Sequence, residues 1–339
     1  MTGAARRLLL VHAHPDDETI GTGATMAYYA AAGARVCLVT CTLGEQGEIL
    51  VPGLAQLAAD QADQLGGWRI QELTAAMAEL GVTDHRFLGG AGRFRDSGMA
   101  GDPANVHPRA FWRADAEPAV FAAAVTALVE IIRELRPQVI VGYDERGGYG
   151  HPDHIMAHRI CAAAVPAAAD PSYPAAGQPW TIAKQYWTAN PRSVAEDGLR
   201  ALATAAVPFR PAEPAELSVL PDQLVTTAIS APGFGAAKAR ALAAHATQVS
   251  VHGQFYALSN GIGQPVLDTE YYRLVAGTAG GARDSHGRET DLFGGLDLAD
   301  WAEVSSGSGL GSDAEGSLMP EVPSGASGSS EPAVSSGAG

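Results

Sequence analysis

Two short clusters in this 339-residue chain hold residue types that do chemistry together: His14-Pro15-Asp16-Asp17-Glu18 and His151-Pro152-Asp153-His154. The first places a histidine and two carboxylates within four residues. Such a cluster is expensive to remove from water unless a cation neutralises it. His14 and Asp17 are three apart, as are His151 and His154, so each pair can converge from one helical face. Three ligands of the His, Asp, His type leave an open coordination position, which a hydrolytic zinc site needs for water.

The flanking residues show what must hold these clusters. Leu8-Leu9-Leu10-Val11 is an apolar run ending at the first cluster, and residues 21–30 continue as a helix, so the cluster is the exit from a buried strand. Val139-Ile140-Val141-Gly142-Tyr143-Asp144 is a second such strand; Gly147-Gly148-Tyr149-Gly150 turns the chain, and a helix follows from His151 through residue 164. In an open parallel sheet, the crevice outside the carboxyl ends of the strands is where ligands bind. Residues 34–42 form another buried strand, and this strand, helix, strand order requires a parallel, right-handed crossover.

Further along, residues 54–80 read as helix weakened at Gly66-Gly67, and residues 85–88 as a short strand. The polar, glycine-rich connection 89–114 is long enough to be functional. Residues 118–135 predict an amphipathic helix with Val125, Leu128, Val129, Ile132 and Leu135 on one face and Pro137 as its stop. Residues 167–179 read as a lid or rim loop, 185–189 as a strand and 235–248 as a helix. Residues 192–227 give only fragmentary strand signals. The reading is a Rossmann-like α/β fold: a mostly parallel, helix-flanked sheet over residues 1–190, a smaller mixed subdomain over 191–303 covering the active-site edge, and a disordered Gly/Ser-rich tail over 304–339, where apolar content is too low to repay ordering.

A net charge of -15 argues against a nucleic-acid or anionic-membrane surface. The apolar run before His12 is too short for a signal-peptide core, and none reaches membrane-spanning length. The expectation is a soluble, cytoplasmic protein. Cys37, Cys41 and Cys161 imply no disulfide framework and read as reduced, buried thiols. His12 reads as packed beside the site, Asp144 as a residue orienting a ligand histidine, and Trp187, Tyr271 and Tyr272 as core. His85, His107, His158, His245, His252 and His286 carry no ligand spacing and read as structure or surface.

The paired clusters resemble the LmbE-like/PIG-L zinc deacetylases. Residues 40–45, 64–70, 88–101 and 147–150 extend the likeness to the mycothiol-pathway branch of that family, over roughly residues 6–275. The resemblance implies hydrolysis of the N-acetyl group of N-acetylglucosaminyl-inositol; the sister activity on mycothiol S-conjugates is the alternative, and a non-catalytic sugar- or metal-binding module a more distant one. It implies that His14, Asp17 and His154 hold one zinc per subunit, ferrous iron suiting the same donors, and that Asp16 is the general base. It further implies that His151 stabilises the oxyanion or acts as general acid with Asp153 orienting its ring, and that Tyr149 donates to the same oxyanion. Arg69, Asp96 and Glu48 match the branch's substrate-contacting positions. The implied partner is a small amino-sugar inositol substrate, with no nucleic acid or membrane.

Overall fold

The strands that carry the two clusters are apolar without alternation, which is the pattern of strands covered on both faces. The computed structural model describes residues 6–298. Strands β1 (Arg7–His12), β2 (Arg35–Thr40), β3 (Asp84–Phe87), β4 (Val139–Gly142) and β5 (Lys184–Ala189) pair in parallel. The later chain adds β6 (Thr227–Ser230), a small antiparallel sheet of β7 (Ser250–His252), β8 (Phe255–Ala257) and β9 (Gln264–Pro265), and then β10 (Thr269–Ala276). β10 lies antiparallel between β5 and β6, giving the order β3-β2-β1-β4-β5-β10-β6. The segment after residue 190 thus supplies two strands of the central sheet as well as the small one.

The helices are α1 (Asp17–Ala31), α2 (Leu65–Leu80), α3 (Pro118–Leu135), a single turn α4 (Gly147–Gly150), α5 (Pro152–Ala169), α6 (Arg192–Leu202) and α7 (Gly235–Ala244). Leu9, Val11, Val39 and Ile140 pack against Val125, Leu128 and Ile132 of α3 and Met156 and Ile160 of α5. Leu8, Leu10, Leu38 and Val141 face the other way, onto Met26 of α1, Leu73 and Met77 of α2, and Ala241 of α7. The fold is the expected Rossmann-like one, and its strand order reverses between β1 and β4, the strands that end in the clusters. That reversal opens the crevice in which such sheets bind ligands.

Several local expectations are corrected. The helix expected over 54–80 begins only at Leu65: Pro52–Leu57 is a 3-10 helix, and Asp63 takes a left-handed backbone (φ 53°) that breaks any continuation. Residues 167–179 are no lid. α5 runs on to Ala169, and the chain beyond it lies at the amino ends of the strands, where Arg133 donates to the carbonyls of Ala168, Asp170, Tyr173 and Ala175. Residues 192–202, which gave no helix signal, form α6, and α7 stops at Ala244, short of the expected residue 248. Tyr272 is fully buried, while Trp187 and Tyr271 are only half-buried. The Gly/Ser-rich tail lies outside the described residues. No described helix is long and apolar enough to cross a membrane.

Two buried ion pairs lock the later elements onto the sheet. Lys238 of α7 meets Glu270 of β10 at 2.7 Å, and Glu270 also accepts from the backbone of Ala24 and Thr25 in α1. Lys184 of β5 meets Glu289 at 2.7 Å, both wholly buried, and Glu289 also accepts from Tyr186, Thr227 and the Gly280 backbone. Removing one partner of such a pair strands the other charge in the interior. Lys184→Met is therefore expected to cost about 3–5 kcal/mol of stability, read by urea denaturation; a loss below about 1 kcal/mol would contradict a dry pair.

Candidate metal and catalytic site

His14 and Asp17 lie where the chain leaves β1 and enters α1, and His154 lies in the first turn of α5. The sheet brings these exits together. His14 Nδ1 is 3.2 Å from Asp17 Oδ2, Asp17 Oδ2 is 3.2 Å from His154 Nε2, and His154 Nε2 is 3.3 Å from His14 Nδ1. Donors around a tetrahedral zinc with bonds of about 2.0 Å stand about 3.3 Å apart. The triangle therefore has the size of one face of such a site. His151 also presents a ring nitrogen within 4.8 Å of those of His14 and His154.

Burial works against the charged forms of His14 and Asp17, yet their neighbours outweigh it. His14 is held well above the usual histidine range by Asp96, Asp153 and Asp17 against the cost of burial, and Asp17 well below the carboxylate range by His154 and His14 against the same cost. Attractions of that size mark a pocket that wants a cation beside its carboxylates.

The supporting groups differ in part from expectation. The Asp153 carboxylate makes no hydrogen bond to the His151 ring; only the Asp153 backbone N–H does. Its Oδ2 lies 3.3 Å from His14 Nε2 and accepts the backbone N–H of Ser97 at 2.9 Å, so it holds the nitrogen of His14 that faces away from the triangle. A carboxylate there fixes a ligand's tautomer and ring plane. Asp96 Oδ1 stands 3.6 Å from the same nitrogen and accepts from Gly98, while Oδ2 accepts from Gln46. The 89–114 connection is thus an ordered loop that carries Asp96 and Ser97 into the site. Asp144 does not touch a ligand histidine; it accepts from the backbone of Arg146 and Gly148 and closes the glycine turn. The residue before it does that work. Tyr143 stacks on His154 with ring centroids 4.4 Å apart, and its hydroxyl accepts from the Ala13 backbone and sits 3.2 Å from His12. His12 is packed beside the site, as expected.

Asp16 is the strained residue of the loop, with φ 120° and ψ -36°. Non-glycine residues in sparsely populated backbone regions persist only where neighbours over-determine them, and they cluster at active sites. Here Arg69 donates to Asp16 Oδ2 at 3.0 Å and to the carbonyls of Pro15 and Gly44, while Glu18 Oε2 accepts the Asp16 backbone N–H at 2.9 Å. Burial pushes the Asp16 carboxyl up to about 6, with Arg69 opposing and Asp17 reinforcing. Arg69 is itself buried, with its terminal nitrogens on the loop and on Asp16. Glu48, the third expected substrate contact, is exposed on the loop after β2.

His151 caps α5: its Nδ1 accepts the Asp153 backbone N–H at 3.1 Å, which leaves the proton of the neutral ring on Nε2. Burial, with His14 and His154 nearby, pushes its pKa down to about 3, so the ring is a neutral donor at pH 7. Tyr149 is 58% exposed on the α4 turn, its ring centroid 5.0 Å from that of His154. Gly147 makes this turn possible: its φ is 61°, and a Cβ there would come 2.5 Å from His154 Cβ. The three cysteines are buried; burial pushes the thiols of Cys37 and Cys161 up to about 12 and that of Cys41 well above its ordinary value. Cys41 belongs to the core under the loop.

Residues 9–165, from β1 into α5, match the family model described as PIG-L: GlcNAc-PI de-N-acetylase. The 1D-myo-inositol 2-acetamido-2-deoxy-α-D-glucopyranoside deacetylase of Geodermatophilus obscurus is 58% identical over 86% of this chain and 98% of its own length, and that of Acidothermus cellulolyticus is 57% identical over 88% and 98%. The chain belongs to the PIG-L family. The stretch matched to the family model contains both clusters, Arg69, Asp96 and Tyr143, and stops before α7. Among solved structures, N,N′-diacetylchitobiose deacetylase from Pyrococcus horikoshii shares the fold with a TM-score of 0.51 at 16% identity, covering 80% of this chain and 84% of that one. The 4-carboxy-2-hydroxymuconate hydratase GalB from Pseudomonas putida KT2440 does so with a TM-score of 0.50 at 16% identity, over 82% and 100%. A deacetylase and a hydratase on one scaffold show that the fold alone does not choose the reaction.

Proposed function

We propose that this protein is a zinc-dependent N-deacetylase that hydrolyses the acetamido group of 1D-myo-inositol 2-acetamido-2-deoxy-α-D-glucopyranoside, releasing acetate and the free amino sugar in mycothiol biosynthesis. The observation that carries the reading is the triangle of His14, Asp17 and His154 donors with the strained carboxylate of Asp16 beside it. The substrate follows from relatives of that activity that align over nearly their whole length.

His14 Nδ1, Asp17 Oδ2 and His154 Nε2 would hold the zinc, which when bound polarises the amide carbonyl and acidifies water. Asp16 takes the proton of the attacking water as its oxygen adds to the carbonyl carbon, then returns it to the departing amine nitrogen as the C–N bond breaks. A carboxyl near 6 suits both halves of that task at neutral pH. His151 Nε2–H donates to the oxygen that gains charge, and Tyr149 closes over the same oxygen from its turn. Asp153 holds His14 in the tautomer that leaves Nδ1 free for metal. Arg69 holds Asp16 in its place, and Asp96 and Glu48 remain candidates for the sugar hydroxyls.

Incubating zinc-loaded protein with the N-acetylglucosaminyl-inositol and, separately, with a mycothiol S-conjugate, and measuring the amine released, tests this. Preference for the first by more than about tenfold is expected. Preference for the conjugate would transfer the protein to detoxification with the same residues at work, and inactivity on both would defeat the proposal.

A further inference from the structure

The strained backbone of Asp16 is held from an unexpected direction. Its N–H bonds Glu18 Oε2, and the other oxygen of that wholly buried carboxylate meets His245 Nε2 at 2.9 Å, across 227 residues of chain. Thr19 also donates to Oε1, but His245 is the basic residue paired with Glu18 among the described ion pairs. A buried carboxylate that loses such a partner is left uncompensated and no longer fixed in place. His245 is fixed in turn. It ends α7, donates its N–H to Leu242, and accepts at its carbonyl from Gln248 and Val249.

The same tight turn grips the helix that carries Arg69, the second support of Asp16. Thr247 donates through N–H and Oγ1 to Glu72 of α2, at 2.8 and 2.7 Å, one helical turn beyond Arg69. Gln248 lies close to Gly47, where an added Cβ would come 2.2 Å from its Oε1 and 2.9 Å from Arg69 Nη1. Glu18 and Arg69 thus approach Asp16 from two sides; residues 245–248 hold Glu18 directly and reach the helix of Arg69 through Glu72.

We infer that His245 is a positioning residue for Asp16: acting through Glu18, it holds the Asp16 backbone in the conformation that aims the carboxylate at the reacting water. The inference rests on the deacetylase reading for its kinetic consequence only. His245→Met fills the space without a donor, whereas His245→Gln keeps an N–H for Glu18. The Met variant is expected to lose about 10–100-fold in kcat, the range seen when a supporting hydrogen bond of this kind is removed, with KM within about twofold of the parent and zinc stoichiometry unchanged. The Gln variant is expected to recover most of the loss. Equal kcat in the two variants, a change carried by KM, or loss of zinc from the Met variant would overturn the assignment. The parent protein is assayed alongside: if it releases no amine, the deacetylase reading has failed. The positioning role is then decided by crystal structures of parent and Met variant, in which it requires the Asp16 φ to leave the positive region and fails if φ stays near 120°.

Discussion

Asp16→Asn is expected to lower turnover by about 10²–10⁴-fold, the span associated with removing a positioned proton carrier, while the protein stays folded and keeps its metal. Asparagine is nearly isosteric and, with aspartate, is among the residues that best tolerate a positive φ, so the loop need not rearrange. Arg69 retains its bonds to Pro15 and Gly44, and the donors of His14, Asp17 and His154 are untouched. What disappears is a carboxylate able to take a proton near neutral pH and give it up in the same cycle. Initial rates on the acetamido substrate and elemental analysis of dialysed protein check both halves. Turnover within tenfold of the parent would remove Asp16 from the role of base.

His154→Ala is expected to behave oppositely, with bound metal and turnover lost together. One corner of the donor triangle is gone, and the remaining His14 and Asp17 cannot enclose an ion from one side. Metal polarisation of the carbonyl contributes several kcal/mol to lowering the barrier. At about 1.4 kcal/mol per decade, the variant should fall by at least about 10³-fold and retain well under one zinc per chain. Full zinc occupancy in this variant would mean that His151, whose nitrogen also lies within 4.8 Å of His14, completes the site instead. The two substitutions therefore separate proton transfer from metal binding within one loop system.

Much of this was legible in the residues alone. The apolar runs of β1, β2 and β4 are short, unalternating and bounded by turn formers, so both their strand character and their burial on two faces follow directly. The helix over Pro118–Leu135 was likewise readable from Val125, Leu128, Val129 and Ile132 to the stop at Pro137. The failures have identifiable causes. Nothing in the composition of residues 54–64 marks Asp63 as left-handed, because its conformation accompanies an ion pair to Arg95, 32 residues away. Asp144 and Tyr143 are neighbours at the end of β4, and only the direction each side chain takes there decides which one reaches the histidines.

What the sequence determined by itself is the pair of donor groups, since a spacing of three residues at a strand exit or helix start brings two side chains together through local backbone geometry alone. Which oxygen faces which nitrogen was decided by tertiary structure. Asp153 serves His14 rather than its neighbour His151 because α5 and the Asp96–Ser97 loop meet over β1. Glu18 finds His245 because α7 is docked on α1 through Lys238 and Glu270. Hydrogen bonds fail within a few tenths of an ångström of their reach, so contacts of this kind between distant segments arise only from the packing of whole elements, which no local spacing of residues encodes.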